Sequence, residues 1–513
     1  MAQDIECSGR RSIAPMTATW RPFSEVAWPG QNNFDWQHKL EEMYNYVPVW
    51  AQNLGISFYG IAYRRERLGG VFDSQVEAFR ERDRWSIEQM QQYVEGELQK
   101  VLVNAFSDVP YYSKKWKDAG LRLSDLQRMT LSQLATIPIT PKRDLTGNAS
   151  SFVAQRIASR NKLSHYYSSG STGTPTTSIV TAQDHQKFIA AREVRSFGWS
   201  GTSVRWPRAM IGGRMVVPRA NSRGPYYRYN RAERQVYLSA YHISSHSVPD
   251  YIRGLNRYRP QVMTGYAHSH YTLARMMIHN GEQLDYAPRA LVLCSEKLTP
   301  HMKTVIQKAF RARPYEEYGA VENCVLGTEC EQGRLHLSPD FGIAEILDEH
   351  DRPVRPGEPG RIVCTGLLSE TQPLIRYEIG DVGVLSGEKC PCGRDQLPVL
   401  EELVGRTEDV LIGPDGRQTV RFHGLFIDLP HVLEGQVIQE ELNFIRVRVV
   451  VTEGFGEREK ELIRKRLWER LGKMRVEVQK VDEIERSARG KFRAVVSRIP
   501  ESVRNQVEVP VRR

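Results

Sequence analysis

The amino-acid sequence predicts an α/β protein with a mainly helical N-terminal region and a small α+β unit at its C-terminal end. Three patterns carry that reading. Apolar residues at helical spacing dominate the first hundred or so positions. From about residue 160 to 400, short apolar runs alternate with helical windows, and after Gly405 a strand-helix-strand pattern takes over. At 513 residues the chain is several times longer than one hydrophobic core requires. With 40% hydrophobic and 26% charged residues it is neither disordered nor fibrous.

After an irregular start the region is expected to be mainly helical, as in the window Asp73–Val103, where Val76, Phe79, Trp85, Ile87, Met90, Tyr93, Leu98 and Val101 recur at roughly helical spacing. The phrase Val109-Pro-Tyr-Tyr112 interrupts it, because proline disfavours helix in the residue before it. Further on, the apolar runs Arg289–Cys294 and Arg313–Tyr318 flank a helical window at Thr299–Phe310, the alternation of a largely parallel sheet. Beyond Gly405, Phe444–Thr452 and Arg475–Val481 read as strands. Between them Leu462, Ile463, Leu467, Leu471 and Met474 form one apolar helical stripe. The expected division is a helical extension over 1–105 packed on a large domain over 106–405, then a small domain over 406–513.

Lys and Arg total 71 against 61 Asp and Glu, a net charge of +10. The excess is dispersed, and no paired Cys/His finger, basic heptad region or ribonucleoprotein signature accompanies it, so no nucleic-acid partner is expected. Charge interrupts every apolar run before the roughly 18 residues that a membrane span requires. The first twenty residues contain no apolar signal core, so the expected location is cytoplasmic. Seven cysteines, an odd count in such a chain, fit reduced thiols better than a disulfide framework.

The strongest local feature is His165–Thr177. Within it Ser168, Ser169, Gly170, Ser171, Thr172, Gly173 and Thr174 each carry a hydroxyl or leave the backbone bare, which suits dense phosphate charge. No Gly-Lys-Ser/Thr follows, so it is not a Walker A loop. Downstream come Cys294-Ser-Glu-Lys-Leu-Thr-Pro300, Glu316-Glu-Tyr-Gly-Ala-Val-Glu322, Arg376-Tyr-Glu-Ile-Gly-Asp381, Gly405-Arg-Thr-Glu-Asp409 and Ala488-Arg-Gly-Lys-Phe-Arg493. In order and spacing this set resembles the adenylate-forming superfamily of acyl-CoA synthetases and adenylation domains, over about residues 105–495. Val109-Pro-Tyr-Tyr112, the run Leu134–Asp144 and Cys390-Pro-Cys-Gly-Arg394 are similar to the phenylacetate–CoA ligase branch. The Asp415-Gly416 turn resembles that branch's capsule-biosynthesis-associated members.

The resemblance implies a large adenylate-forming domain with a small mobile one, and ATP and Mg²⁺ as reactants. Ser168–Thr174 would hold the β- and γ-phosphates. Tyr318 would face adenine, with Ser295, Glu296 and Glu317 lining the nucleotide. Glu322 would hold Mg²⁺, a cation that prefers hard oxygens, and Asp381, aided by Arg406, would accept bonds from the ribose hydroxyls. Lys491 would bridge the substrate carboxylate and the α-phosphate. Glu408 and Asp409 would form the hinge. One departure is Thr176, where many superfamily members carry lysine. The acid pocket is expected within 205–270, among Tyr226, Tyr227, Tyr241, His242, Tyr266 and His268. Cys330, His336, Cys390 and Cys392 add three thiolates and one imidazole, a closed tetrahedral set for structural Zn²⁺. The expected reaction converts ATP and a small carboxylic acid into an acyl-adenylate and pyrophosphate. The acyl group then passes to CoA or, alternatively, to an amine or hydroxyl acceptor.

Overall fold

The computed structural model describes residues 47–168, 176–213, 216–217, 224–240, 242–244, 246–406, 411–414, 418–419, 425–426, 429, 431–486 and 492–500. Its N-terminal part is helical: α1 (Val49–Leu68), α2 (Phe72–Arg82), α3 (Ile87–Asp108) and α4 (Pro110–Asp118). The window expected to be mainly helical is so, in two helices that part after Arg82. Ser86 Oγ accepts from the Gln89 amide while the Gln89 side chain accepts from the Ser86 amide, a reciprocal cap that starts α3 anew and leaves Trp85 between helices. The break expected at Val109 is a joint, because Pro110 opens α4 at the one helical position that tolerates it.

A hairpin of β1 (Ser164–Tyr167) and β2 (Thr177–Val180) precedes the main sheet. That sheet comprises β3 (Arg208–Gly212), β4 (Tyr227–Asn230), β5 (Gln235–Ser239), β6 (Val262–Tyr266), β7 (Ala290–Cys294), β8 (Pro314–Gly319), β9 (Leu326–Glu329), β10 (Leu335–Leu337), β11 (Gly342–Leu347), β12 (Pro359–Gly366), β13 (Tyr377–Leu385) and β14 (Val399–Arg406). Their order is β11-β12-β13-β14-β10-β9-β8-β7-β6-β3-β5-β4. Only β5, β3, β6, β7 and β8 are mutually parallel. The expectation of a largely parallel sheet is therefore corrected to a mixed one. Parallel neighbours need a crossover of a dozen or more residues, usually a helix. The chain has α6 (Val248–Tyr258), α7 (Ala267–Asn280) and α8 (Pro300–Phe310) to serve β6, β7 and β8, following α5 (Ala182–Arg192), which packs on α2. From Gly319 to Val399 it has none, and its strands return antiparallel.

The small domain matches the strand-helix-strand expectation. β15 (Leu411–Ile412) pairs with β16 (Gln418–Thr419), and β17 (Val432–Glu441), β18 (Phe444–Val451), β19 (Arg475–Lys480) and β20 (Val495–Ser497) form a sheet ordered β19-β18-β17-β20. β18 and β19 are parallel, linked by α9 (Glu457–Leu471), which buries Ile463, Leu467 and Leu471 against Val437, Ile445, Val447 and Val449.

Polar contacts lock the helical region onto the large sheet. Asp340, fully buried, takes Arg82 Nε at 2.6 Å and Arg195 Nη1 at 2.5 Å, and Arg195 Nε reaches Asp83 at 2.9 Å. Burial opposes the charge on Asp340, yet the two guanidiniums hold its carboxyl below the usual range. The segment Val109–Tyr112 is anchored as well: Tyr111 donates to Asp144 at 2.6 Å, and Tyr112 Oη accepts from the Ile375 amide at 3.0 Å. No helix among the described residues is long and apolar enough to cross a membrane.

Candidate active site

In open α/β sheets, ligands bind outside the carboxyl ends of the parallel strands. Those ends are Tyr266, Cys294 and Gly319 on β6, β7 and β8, so His268, Ser295, Glu296 and Tyr318 gather along one rim. Ser295 turns the chain there with φ +70°.

The ends of the hydroxyl-rich loop are closed by a hairpin. Ser168 N–H donates to the Thr176 carbonyl at 2.9 Å, and Thr176 N–H donates to Ser168 Oγ at 2.8 Å. Ser169, Gly170, Ser171, Thr172, Gly173 and Thr174 lie outside the described residues, as do Tyr241, Glu408, Asp409, Asp415, Gly416, Lys491 and the Arg406 side chain.

Two motifs that were separate in sequence are tied together twice. Tyr318 Oη donates to Asp381 Oδ2 at 2.9 Å, and Tyr377 Oη donates to Glu322 Oε1 at 3.3 Å. Burial, reinforced by the Asp381 carboxylate, pushes the Tyr318 phenol well up, so it stays a donor. Thr176 Oγ1 also donates to Glu322 Oε1, at 2.8 Å. Both bonds fall on Oε1, which leaves Oε2 of this buried carboxylate, without a described partner, as the hard oxygen a Mg²⁺ ion would prefer.

Glu296 is engaged through both oxygens: the His268 amide donates to Oε2 at 2.8 Å and the Phe492 amide to Oε1 at 3.2 Å. Glu317 is buried and paired with Arg192 of α5 at 2.8 Å. Among the residues expected to line the acid pocket, Tyr226 and Tyr227 belong to the hydrophobic core, with Tyr266 packed against it. His242 is buried with neither ring nitrogen hydrogen-bonded, and burial lowers its pKa to about 4.

The cysteine set assembles. Cys330 follows β9, His336 lies on β10, and Cys390 and Cys392 lie in the approach to β14. Their ligand atoms all fall within 4.8 Å of one another. Cys330 Sγ and Cys390 Sγ are 3.7 Å apart, and Cys392 Sγ is 3.3 Å from His336 Nε2. His336 Nδ1 lies 2.9 Å from the Leu397 carbonyl, which calls for an N–H at Nδ1 and turns Nε2 to the sulfurs, the usual second bond of a metal-binding histidine. Soft thiolates with one imidazole suit Zn²⁺.

Sequence reading missed three participants. Tyr377 stood inside a motif already singled out, and Thr176 stood at its one departure, so both had a local signal. Trp199, whose indole meets the His336 ring edge-on at 5.9 Å, had none.

The chain resembles known proteins in sequence and in fold. The CapK C-terminal domain family model matches residues 412–498. Protein CapK of Staphylococcus aureus is 25% identical over 419 residues, 80% of this chain and 89% of that protein. A phenylacetate–coenzyme A ligase of Thermus thermophilus is 26% identical over 352 residues, 63% of this chain and 72% of that one. The fold is shared with a crystal structure of 2-hydroxyisobutyryl-CoA ligase in the postadenylation state, with a TM-score of 0.61 at 21% identity over 81% of this chain and 90% of that chain. Over most of its length the chain is therefore similar in sequence to CapK and to CoA ligases, and it shares the fold of an acyl-adenylate-bound ligase. More particularly, it is a ligase related to CapK and to phenylacetate–CoA ligase.

Proposed function

We propose that this ligase activates a small carboxylic acid with ATP and passes the acyl group to CoA as a thioester. The observation that carries the reading is the double tie between Tyr318–Glu322 and Arg376–Asp381, which brings a buried aromatic ring, a ribose-directed carboxylate and a cation-directed carboxylate together. CoA as acceptor is supported by similarity to proteins named phenylacetate–coenzyme A ligases.

The acid's carboxylate oxygen attacks the α-phosphorus, the bond to the β-phosphate oxygen breaks, and pyrophosphate leaves. The thiolate of CoA then attacks the acyl carbon, the carbon–oxygen bond to phosphate breaks, and AMP leaves. Tyr318 bounds the adenine site, with Ser295, Glu296 and Glu317 around the nucleotide, and its hydroxyl fixes Asp381 toward the ribose. Arg406 assists at the ribose. Ser168–Thr174 supply donors to the β- and γ-phosphates. Thr176 and Tyr377 orient Glu322, which would hold Mg²⁺, and the ion neutralises phosphate charge when bound. Lys491 places an ammonium where charge develops at the reacting centre. Cys330, His336, Cys390 and Cys392 would hold a structural Zn²⁺ with no open position. Domain boundaries near 105 and 405, with a hinge at Glu408–Asp409, complete the proposal.

ATP–pyrophosphate exchange across a panel of aryl and small-metabolite acids tests the first step. Exchange with at least one acid is expected, and Lys491→Ala should slow it by about 10²–10³ while ATP still binds. A folded, Mg²⁺-supplied enzyme inert to the whole panel would overturn the reading. Adding CoA, amines or alcohols to the active pair identifies the acceptor, and an amide or ester product would displace CoA from the proposal.

A further inference from the structure

α7 presents one face to the small domain. His268, Thr272 and Arg275 stand at i, i+4 and i+7, and each meets a C-terminal group. The His268 ring stacks on Phe492 with centroids 3.9 Å apart and planes 7° apart, and its Nε2 lies 3.8 Å from Glu434 Oε1. Thr272 Oγ1 donates to Glu434 at 3.2 Å, and Arg275 donates to the carbonyls of Val432 and Leu433. From the small domain's own side Arg486 pairs with Glu434 and lies over the Phe492 ring at 4.8 Å.

Beneath the stack sits Glu296. Its Oε2 takes the amide of His268, one of the first N–H groups of α7, which no carbonyl of the helix can satisfy. A carboxylate there is also favoured by the helix dipole. Its Oε1 receives the Phe492 amide. One carboxylate therefore caps a helix of the large domain and grips the backbone of the small one. Polar bonds and one ring stack can part and re-form without exposing a large apolar surface, as a contact between moving domains requires.

We propose that His268 is a positioning residue: with Glu296 it forms a socket for Phe492 that selects the adenylate-forming arrangement of the two domains. The inference deepens the proposed function and rests on it, because Phe492 directly follows Lys491 in the chain. The socket acts on the first half-reaction, and thioester formation, which needs the small domain in another place, does not use it.

Hydrogen exchange on the full-length protein with MgATP alone tests the socket without knowing the acid. His268→Ala should speed exchange of the Phe492–Ser497 amides and of the first turn of α7 roughly three- to tenfold, the worth of a ring stack, with β18 unchanged. His268→Phe, which keeps a flat ring, should restore the protection. A purely structural role would not respond to ring shape in this way. With an active acid, His268→Ala should slow ATP–pyrophosphate exchange at unchanged ATP affinity, and by more than it slows the reaction of added acyl-adenylate with its acceptor. Unaltered protection at 492–497 in His268→Ala, or equal slowing of both half-reactions, overturns the inference. A wild-type enzyme without any exchange activity would count against the ligase reading alone, since the protection measurement does not depend on it.

Discussion

Replacing Cys392 by serine removes one of four converging ligands while disturbing little else, because Cys392 is only half-buried. Two Zn–S bonds of about 2.3 Å at the tetrahedral angle span about 3.8 Å, and a Zn–S and a Zn–N bond span about 3.6 Å. The structure holds Cys330 and Cys390 sulfurs at 3.7 Å and the Cys392–His336 pair at 3.3 Å. These two pairs need shifts of only a few tenths of an ångström to receive zinc. A site saturated a thousandfold above its dissociation constant adds about 4 kcal/mol to the folded state. Cys392→Ser should therefore lower zinc content from about one per chain, measured by plasma mass spectrometry. The thermal midpoint should fall by several degrees while ATP affinity stays unchanged. Cys294→Ser, outside the cluster, should retain its zinc. A metal-free preparation that melts where the loaded protein does would refute the reasoning and leave four ordinary packed side chains.

Other expectations follow from the same geometry. Glu322→Gln keeps an acceptor for Thr176 and Tyr377 but loses the charge, so ATP–pyrophosphate exchange should fall by about 10²–10³ and demand more Mg²⁺; an unchanged Mg²⁺ titration would exclude Glu322 as the ligand. Asp340→Asn leaves Arg82 and Arg195 buried without a full counter-charge and should cost about 3–5 kcal/mol in urea unfolding, whereas Arg205→Ala, from an exposed pair with Asp73, should cost less than about 1 kcal/mol. Burial would raise the Glu434 carboxyl, but His268 and Arg486 outweigh it and hold it down at about 2. Its stabilisation is then complete above the ordinary value of 4.5 and lost as pH falls from there toward 2. Unfolding midpoints between pH 5 and 3 should drop less steeply in Glu434→Gln than in the wild type.

Much of the candidate site was legible because its chemistry is local to short motifs. The roles suggested for Tyr318, Glu322 and Asp381 came from resemblance, and the structure joins those residues through bonds that no spacing rule foretells. The cysteine set could be read from ligand types alone, though not that Leu397 would turn the His336 ring. Elsewhere periodicity misled. A run of apolar residues cannot say whether its strand lies parallel to its neighbour, so the antiparallel half from β9 to β14 went unseen. The helical window hid a stop between Arg82 and Ser86, although the Ser86-Gln89 pair that restarts the helix was readable as a capping box. The socket around Phe492 depends on chain segments distant in sequence, and neither segment carries a pattern that names the other.

The place of β14 in the sheet has a mechanical consequence. It is flanked on both sides, by β10 and β13, rather than hanging at an edge. The cysteine pair lies just before its start, and its last residue, Arg406, is paired across the ladder with Asp381. Eight residues of strand, roughly 26 Å, thus lie like an axle in a bearing, with the cysteine–histidine cluster near one end and Asp381 beside the other. Any strain applied to the chain beyond Arg406 would be spread over two hydrogen-bonded ladders before it reached the helical region. The CapK-type module begins at residue 412, just beyond that axle. A strand held along both sides gives whatever the chain carries beyond it a seat that is fixed by backbone hydrogen bonds rather than by side-chain packing.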